Sequence, residues 1–444
     1  ANMLQRYAQD SRLGIPLLIG IDAIHGNALV RGATVYPAPM SMASTWNLDL
    51  VRRANEETAI EMRATGSHWS FTPNIDIARD PRWGRVGETF GEDSYLVGEM
   101  GVATIDGLQQ GDFTGPTKVI ANAKHWVAGG DPINGINLSP MDISIRTLRE
   151  DFFPPFKRAI DAGVFTFMAA HNEINGVPAH SNHFILTEVL RDEWGFDGFV
   201  VSDWMDVGRL HTFHRTATSP KDAVRQAVQG GIDMHMHGPS FLDPLVELVE
   251  EGLISEERID RAAESILLAK FKLGLFEDPF VDISLIEQTL FSEKHQQTAL
   301  DMAREGIVLL TNKNQILPLK QDLKVFVTGP NASSDAILGD WVLPQPPENI
   351  TTVVEGIKSL NVSSVDYLDV GNQVKTLSKR DIDTASIRAA KADVAIVVVG
   401  ENPLRYDRKG KTTGENVARS SLDLIGDQLD LSLIHISEPT RLST

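Results

Sequence analysis

The sequence predicts an α/β protein in which a (β/α)8 TIM-type barrel is followed by an α/β sandwich domain with a mostly parallel sheet. From residue 17 to about 275, short apolar segments alternate with helical patterns, as in repeated βα units. Several of these apolar segments end in polar or charged residues, which a parallel barrel collects at one mouth. The 444 residues are also enough for about two or three domains.

The predicted barrel strands are apolar runs, each of which leads into a polar position or a turn. They are Leu17–Asp22, Val119–Lys124, Phe165–Ala170, Phe199–Ser202 and Gly231–Met236. We expect the side chains of Asp22, Lys124, His125, His171 and Asp203 to converge where these strands end.

A helix is predicted over Glu257–Leu273, where apolar residues recur at helical spacing. Ser255 is a suitable N-cap and Gly274 a suitable stop. With this helix the barrel domain is expected to span residues 1–276 and to lack its first elements.

Residues 277–296 carry acidic and proline signals and are interpreted as a surface linker. A second, C-terminally truncated domain is predicted over 297–430, with a helix over 297–310 and strands at Val325–Gly329 and Val394–Gly400. No Gly-x-Gly-x-x-Gly follows the second of these strands, so the pattern does not favour nucleotide binding. The segment 431–444 resembles a translated sequencing adapter, with a chance match as the alternative, and is left out of the predicted fold.

The composition excludes several function classes. Sixty Asp and Glu against 41 Lys and Arg give a net charge of −19, which repels nucleic acid and anionic lipid. No apolar stretch approaches the roughly 20 residues of a membrane span, so no membrane insertion is predicted. The absence of cysteine excludes disulfides, thiol catalysis and cysteine zinc sites. A neutral ligand fits this composition best, and the sequence indicates no cofactor.

Residues 196–204, Phe-Asp-Gly-Phe-Val-Val-Ser-Asp-Trp, form a short apolar strand that leads into a carboxylate and an aromatic ring. Reacting groups of parallel α/β enzymes sit at such strand ends, which makes Asp203 a candidate catalytic residue. The alternative is that Ser202 and Asp203 cap the next helix.

Two histidine pairs could be read as metal ligands. His211 with His214, and His235 with His237, would each share one face of a helix or strand. No third ligand is convincingly spaced with them, so no metal site is predicted. Asp206 is interpreted as a helix-start residue.

Five motifs together resemble glycoside hydrolase family 3, in the order and spacing of its β-glucosidases. They are Gly20-Ile21-Asp22-Ala23-Ile24-His25-Gly26, Pro73-Asn74-Ile75-Asp76 with Arg79-Asp80-Pro81-Arg82-Trp83-Gly84-Arg85, Glu88 to Gly91-Glu92-Asp93, Ala123-Lys124-His125-Trp126 and Val201-Ser202-Asp203-Trp204. The resemblance covers essentially residues 1–430. It implies a barrel followed by an α/β sandwich, with the sugar pocket between the two domains.

The resemblance implies that Asp203 is the nucleophile and that Trp204 forms an apolar wall below the sugar ring. It implies a further group that grips the hydroxyls of the first sugar through charge-assisted hydrogen bonds, namely Asp22, Arg79, Lys124 and His125. Met168 and His171 fall on the strand that lines the pocket. We expect Lys124 and Arg79 to provide the positive charge that keeps Asp203 ionised.

Two alternatives follow from the residues alone. Arg79 could form a buried ion pair with Asp80 or Asp76, and His125 could be a satisfied core histidine.

The acid/base is expected on a loop of the second domain. Glu415 lies in Lys411-Thr412-Thr413-Gly414-Glu415-Asn416-Val417-Ala418-Arg419, which looks like the acid/base loop of family members. Glu401 directly follows the strand Val394–Gly400 and is the alternative.

The resemblance therefore implies a retaining, exo-acting β-glucosidase that removes terminal non-reducing β-D-glucosyl residues from oligosaccharides or glucosides. β-Xylosidase and glucan exohydrolase are the alternatives within the family, and an inactive sugar-binding module is the alternative of another class. An N-acetylglucosaminidase is disfavoured because residues 124–131, Lys-His-Trp-Val-Ala-Gly-Gly-Asp, lack the second histidine of that group. By resemblance the protein is expected to be periplasmic or secreted, and the sequence does not indicate an oligomeric state.

Overall fold

The computed structural model describes residues 1–434, which fall into two compact units, the first Ala1–Gly306 and the second beginning at Ile307. The strands of the first unit are short and mostly buried. They are β1 (Gly20–Ile21), β2 (Trp69–Ser70), β3 (Asn122–Trp126), β4 (Thr166–Ala169), β5 (Glu173–Ile174), β6 (Val177–Pro178) and β7 (Phe199–Val201).

Helices separate these strands along the chain. They are α1 (Asn2–Gln9), α2 (Pro39–Ser44), α3 (Leu48–Thr65), α4 (Ser94–Gln109), α5 (Ile145–Thr147), α6 (Phe153–Asp161), α7 (Asp206–Thr212), α8 (Pro220–Gly230), α9 (Leu242–Glu250), α10 (Glu256–Lys272), α11 (Ile286–Thr289) and α12 (Glu293–Gly306). Two further helical segments, Leu148–Phe152 and Phe184–Glu193, are wound more widely, with π-type hydrogen bonding.

The main strands of the first unit pair in parallel and in chain order. β1 pairs with β2, a bridge from Trp69 to Ile120 leads to β3, and β3, β4 and β7 follow side by side. A final parallel bridge joins Val201 to Met234. Sequential parallel pairing with intervening helices is the arrangement of a barrel built from βα units, so the predicted fold class is confirmed.

The apolar strands predicted from the sequence coincide with this ladder but are shorter than predicted. The run Gly231–Met236 contributes only the bridge at Met234. The helix predicted over Glu257–Leu273 is α10, and its N-cap is Ser255, whose side chain accepts a hydrogen bond from the backbone N–H of Arg258. Gly274 follows the helix with φ +70°, a left-handed conformation that glycine adopts readily.

Residues predicted as a linker pack against the first unit instead of crossing open surface. The side chain of Asn2 exchanges two hydrogen bonds with the backbone of Val281, and the N–H of Phe291 donates to Glu61. The helix predicted over 297–310 is found at Glu293–Gly306 as α12, and it packs on α2 and α3 of the first unit.

The second unit contains a three-stranded parallel sheet in the described residues. Its elements are β8 (Lys324–Thr328), α13 (Val353–Lys358), β9 (Ser364–Leu368), α14 (Lys379–Ala389), β10 (Val394–Val397) and α15 (Gln428–Ser432). β8 lies in the middle, with β10 on one side and β9 on the other. The last positions of the described chain, Leu431 and Ile434, are buried in an apolar cluster with Phe326. Residues 435–444 of the adapter-like segment lie outside the described residues.

Within residues 1–434, no helix has both the length and the apolar character needed to cross a membrane.

Candidate active site

Several candidate residues of the first unit lie in or just after the parallel strands that the barrel pattern predicts. Asp22 comes directly after β1, Lys124 and His125 lie within β3, and Asp203 follows β7 after a single serine. β3 and β7 are buried and β1 is half-buried, so the ends of these strands are where polar side chains can face a ligand.

Asp203 is held at both carboxylate oxygens. Its Oδ1 accepts a hydrogen bond of 2.5 Å from the backbone N–H of Trp204, and its Oδ2 lies 3.1 Å from Nε2 of His171 and 3.5 Å from Nε2 of His125. The side chain is only 10% exposed. The side chains that contact this carboxylate are thus those of two histidines, whereas the sequence led us to expect Lys124 and Arg79.

His171 lies between two aspartates. Its Nδ1 is 2.7 Å from Oδ2 of Asp206, the first residue of α7. NH1 of Arg209, one turn further along that helix, donates to Oδ1 of Asp206 at 2.5 Å. Asp206 therefore begins a helix, as predicted, and is in addition a fully buried partner of His171. Burial alone would raise the pKa of Asp206, but His171, His180 and Arg209 together hold it below its usual value.

His125 belongs to a second buried network. Its Nδ1 lies 2.7 Å from Oδ2 of Asp76, and its Nε2 lies 3.2 Å from NH2 of Arg85. Arg85 in turn forms a bidentate pair with Glu88, and both side chains are almost completely buried. Burial, followed by the positive charge of Arg85, lowers the pKa of His125 well below its ordinary value. Burial raises the pKa of Asp76 to about 6. His125 is therefore a buried, hydrogen-bonded histidine, as the alternative from the residues alone expected, and it also lies 3.5 Å from Asp203. Its contact with a sugar stays a prediction.

Lys124 and Asp22 form an ion pair. Nζ of Lys124 donates to Oδ1 of Asp22 at 2.8 Å, with 2% of the lysine side chain and 25% of the aspartate side chain exposed. The carboxylate is thus the more accessible member of the pair, and the lysine behind it fixes its position.

Arg79 binds neither of the aspartates weighed from the sequence. Its NH2 is 2.7 Å from Oδ2 of Asp151, and its guanidinium lies over the ring of Phe152. Asp80 pairs instead with Arg82, and Asp76 accepts hydrogen bonds from His125. The interpretation of Arg79 as part of a buried ion pair with Asp80 or Asp76 is therefore wrong. Its partner is Asp151, and 41% of the Arg79 side chain is exposed.

Trp204 and Met168 lie in contrasting surroundings. Trp204 is 55% exposed, and its ring stacks on that of His237 with 3.8 Å between the ring centroids. Met168 is fully buried in an apolar cluster with Trp69 and Phe199. An exposed, stacked indole can serve as a sugar platform, while Met168 packs in the apolar interior.

The histidines weighed as metal ligands have other partners. His214 pairs with Glu173 at 2.7 Å, Nδ1 of His211 lies 3.0 Å from the carbonyl oxygen of Ala217, and Nε2 of His235 lies 3.2 Å from that of Gly238. In the described part of the chain, no three or more His, Asp or Glu side chains are grouped so as to hold a metal ion.

In the second unit, Glu415 lies on the loop after β10 and is held by a charged cluster. Its Oε2 accepts a hydrogen bond from NH2 of Arg405 at 3.0 Å, and Nε of Arg405 lies 3.3 Å from Asp340. Lys411 also donates to Asp340, and the Arg405 guanidinium lies over the ring of Trp341. Glu401, the alternative, forms an ion pair with Arg419. Both glutamates are partly buried and both face an arginine, so these contacts do not separate them.

Sequence reasoning gave no role to Arg85, Glu88, Asp76, His180 and Asp206 in holding the site. Arg85 and Glu88 were noted as parts of motifs, Asp76 as part of a motif and as a possible partner of Arg79, and Asp206 as a helix start. His180 carried no local signal: its Nε2 accepts a hydrogen bond from the backbone N–H of Asp203, 23 positions further along the chain. Only the fold brings such residues together.

Comparison with known proteins identifies both units. Residues 1–269 match the model of the glycosyl hydrolase family 3 N terminal domain, and residues 307–434 match that of the family's C-terminal domain. A periplasmic β-glucosidase of Salmonella typhimurium is 34% identical over 94% of this chain and 57% of its own length. A β-xylosidase of Formosa agariphila is 36% identical over 97% of this chain and 62% of its own.

Solved structures agree in fold. A β-glucosidase involved in saponin metabolism from intestinal bacteria is 34% identical and superposes with a TM-score of 0.92, over 99% of this chain and 63% of that one. A β-glucosidase of Listeria innocua in complex with glucose is 32% identical, with a TM-score of 0.90 over 98% and 58%. The chain thus spans about six tenths of the length of these relatives. From the two matched domains and these relatives, the chain belongs to glycoside hydrolase family 3.

Proposed function

We propose that the protein is a retaining, exo-acting β-glucosidase that hydrolyses terminal non-reducing β-D-glucosyl residues of oligosaccharides or glucosides. The observation that carries the proposal is the carboxylate of Asp203, which is fixed at both oxygens at the end of β7. A nucleophilic carboxylate must be oriented before it attacks, and this one has little freedom to turn.

In the proposed first step, Asp203 attacks the anomeric carbon and Glu415 protonates the leaving oxygen. A covalent glycosyl-enzyme forms, and the aglycone departs as an alcohol. In the second step Glu415 takes a proton from water, the water oxygen attacks the same carbon, and the bond to Asp203 breaks. Two inversions restore the β configuration.

The remaining candidates are proposed to hold the sugar. Asp22 offers a partly exposed carboxylate to neighbouring hydroxyls, with Lys124 behind it. His125 and His171 flank the nucleophile, Arg79 offers a half-exposed guanidinium, and Trp204 offers an exposed ring. Charged groups of both signs and an aromatic face are the contacts that a neutral sugar needs. Met168 is proposed to shape the pocket from beneath.

A fluorinated glucoside with an activated leaving group tests the reaction class. A retaining enzyme accumulates the glycosyl-enzyme, so intact mass should rise by one fluoroglucosyl unit, and peptide mapping should place it on Asp203. Asp203→Asn should lose the adduct and turnover. Asp197→Asn, which alters an exposed aspartate on the same segment, should keep both. An adduct on another residue would overturn the nucleophile assignment, and folded protein with neither adduct nor turnover would favour a sugar-binding module.

Leaving-group dependence tests the acid/base. Glu415→Ala should lower kcat/KM by about 10²- to 10⁴-fold for alkyl glucosides but much less for activated aryl glucosides, which need no proton. Glu401→Ala is the matched comparison, since Glu401 also pairs with an arginine. If Glu401→Ala shows the leaving-group dependence and Glu415→Ala does not, the assignment passes to Glu401.

β-Xylosidase is the second candidate, favoured by the similarity to the Formosa agariphila enzyme. The two sugars differ only in the hydroxymethyl group at C5, so the ratio of kcat/KM on aryl β-glucoside and β-xyloside separates them. A glucoside-to-xyloside ratio below one would assign xylose as the preferred sugar, and the proposed mechanism would be unchanged. The similarity to a periplasmic relative also supports a periplasmic or extracellular location, which fractionation of producing cells would test.

A further inference from the structure

We infer that His171 carries a proton on both ring nitrogens and that Asp206, acting through it, is a positioning residue for Asp203. The inference rests on the proposed function, because it bears on catalysis only if Asp203 is the nucleophile. Nε2 of His171 lies 3.1 Å from Asp203, and Nδ1 lies 2.7 Å from Asp206. Two ionised carboxylates can only accept hydrogen bonds, so an imidazole that satisfies both must donate from both nitrogens and is a cation.

The two neighbouring histidines have a different set of partners. Nε2 of His180 accepts from the N–H of Asp203, so this nitrogen carries no proton. Nε2 of His125 faces the guanidinium of Arg85, which can only donate, so it too is an acceptor. Burial lowers the pKa of both rings, in keeping with two neutral histidines. His171 is the member of the three in which each ring nitrogen lies within 3.1 Å of a carboxylate oxygen, since Nε2 of His125 is 3.5 Å from Asp203 and Nδ1 of His180 is 3.6 Å from Asp206.

The charged surroundings of His171 come from several elements. Asp203 follows β7, Asp206 and Arg209 belong to α7, His125 stacks from β3 with 5.8 Å between ring centroids, and His180 lies 3.6 Å from Asp206. NH1 of Arg209 is 3.5 Å from Nδ1 of His171 but 2.5 Å from Oδ1 of Asp206, so its strong hydrogen bond goes to the carboxylate. Two carboxylates then face one guanidinium, and a protonated His171 balances the local charge.

Loss of one proton from His171 has a defined consequence. The shorter contact keeps the remaining hydrogen on Nδ1, toward Asp206, and leaves a lone pair on Nε2 facing Oδ2 of Asp203. The nucleophile then loses a donor and meets repulsion, so its carboxylate turns. We therefore expect kcat/KM to fall on the alkaline side with the loss of this proton. Asp206→Asn removes one of the two negative neighbours of His171. It should therefore lower the pH at which kcat/KM begins to fall, the alkaline limb of the pH profile, by about one unit.

Histidine NMR on the intact chain reads the protonation state without any turnover. The chain has 12 histidines, so protein labelled with ¹⁵N and ¹³C in histidine gives a tractable spectrum, in which His171→Gln identifies the His171 signals. We expect both His171 nitrogens to show the shifts of an imidazolium at pH 7, above the usual histidine value of about 6.5. A neutral His171 at pH 7 would overturn the inference.

Kinetics test the positioning role. At a pH above the alkaline limb of the variant, Asp206→Asn should lower kcat/KM about tenfold relative to the wild type. At a pH below that limb, kcat/KM should change little. Glu173→Gln is the matched control, because Glu173 pairs with His214 at the same 2.7 Å and, within residues 1–434, forms no hydrogen bond with Asp203. Glu173→Gln should leave the pH dependence of kcat/KM unchanged. In protein that already carries His171→Gln, no imidazole titrates between the two carboxylates. Adding Asp206→Asn to that variant should then leave the alkaline limb of the kcat/KM profile where it is.

The outcomes separate the two proposals. If folded Asp206→Asn turns over and its kcat/KM falls at the same alkaline pH as in the wild type, the positioning role of Asp206 is overturned. The glycosidase proposal is then intact. An imidazolium signal in a protein that neither turns over nor forms the adduct would support the protonation state while the proposed function fails.

Discussion

The buried pair of Arg85 and Glu88 supports His125 from behind. Both side chains are at most 3% exposed, and they share three hydrogen bonds. Removing one charge of such a pair leaves the other charge buried, so Glu88→Gln should destabilise the protein by about 3 to 5 kcal/mol in urea unfolding. Glu150→Gln breaks the exposed pair with Arg146 and should cost less than about 1 kcal/mol. Equal losses from the two variants would contradict this reasoning.

Asp76 gives a pH dependence of stability with a definite sign. Its pKa is raised from 3.8 to about 6 by burial, so the folded protein holds this proton more tightly than the unfolded chain. The contribution to stability is fully present below pH 3.8 and is lost as the pH rises through about 6. The free energy of unfolding of the wild type, relative to Asp76→Asn, should therefore grow by about 2 kcal/mol from pH 7 to pH 4, because the unfolded carboxyl is still more than half ionised at pH 4. A difference that grows toward high pH would show that Asp76 behaves as a salt-bridged carboxylate.

At the scale of elements, local signals were sufficient where the partners are close in sequence. Ser255 caps α10 three residues before the N–H that it binds, and Gly274 lies just beyond the helix end, so both could be identified by spacing. The contact between His171 and Asp206 spans 35 positions and that between Arg79 and Asp151 spans 72, and no periodic pattern encodes such pairs. The strand ends predicted the positions of the candidate residues, whereas their partners depend on tertiary packing.

The cap of α10 gives a prediction at this scale. Ser255→Ala removes the acceptor for the N–H of Arg258 and should lower the free energy of unfolding by about 1 kcal/mol. Ser265→Ala is the control on the same helix, because the Ser265 hydroxyl donates to the carbonyl oxygen of Arg261 on the helix surface and caps no helix end. That change should stay within about 0.5 kcal/mol. Thermal unfolding of both variants distinguishes the cap from a general effect of losing a hydroxyl.

At the scale of the whole molecule, α12 determines where the first unit ends. Two buried carboxylates on α3, Glu57 and Glu61, receive hydrogen bonds from Thr298 and His295 of α12. Met302 adds a fully buried apolar side chain. A domain boundary at residue 296, which composition suggested, would cut this helix after its first turn. The sequence could not show this, because the carboxylates that α12 covers lie more than 200 positions earlier in the chain.

Fragments of different length test this boundary. A fragment of residues 1–306 retains α12 and should unfold cooperatively. Residues 1–296 lose the buried side chain of Met302 and the hydrogen bond from Thr298 to Glu57. The cost of exposing a carboxylate network and an apolar face should lower the unfolding midpoint strongly or prevent folding. Residues 307–310 are exposed and non-helical, so a fragment of residues 1–310 should match the 1–306 fragment. If the 1–296 fragment proved as stable as these two, α12 would not be required for the stability of the first unit, and its buried contacts would contribute nothing to folding.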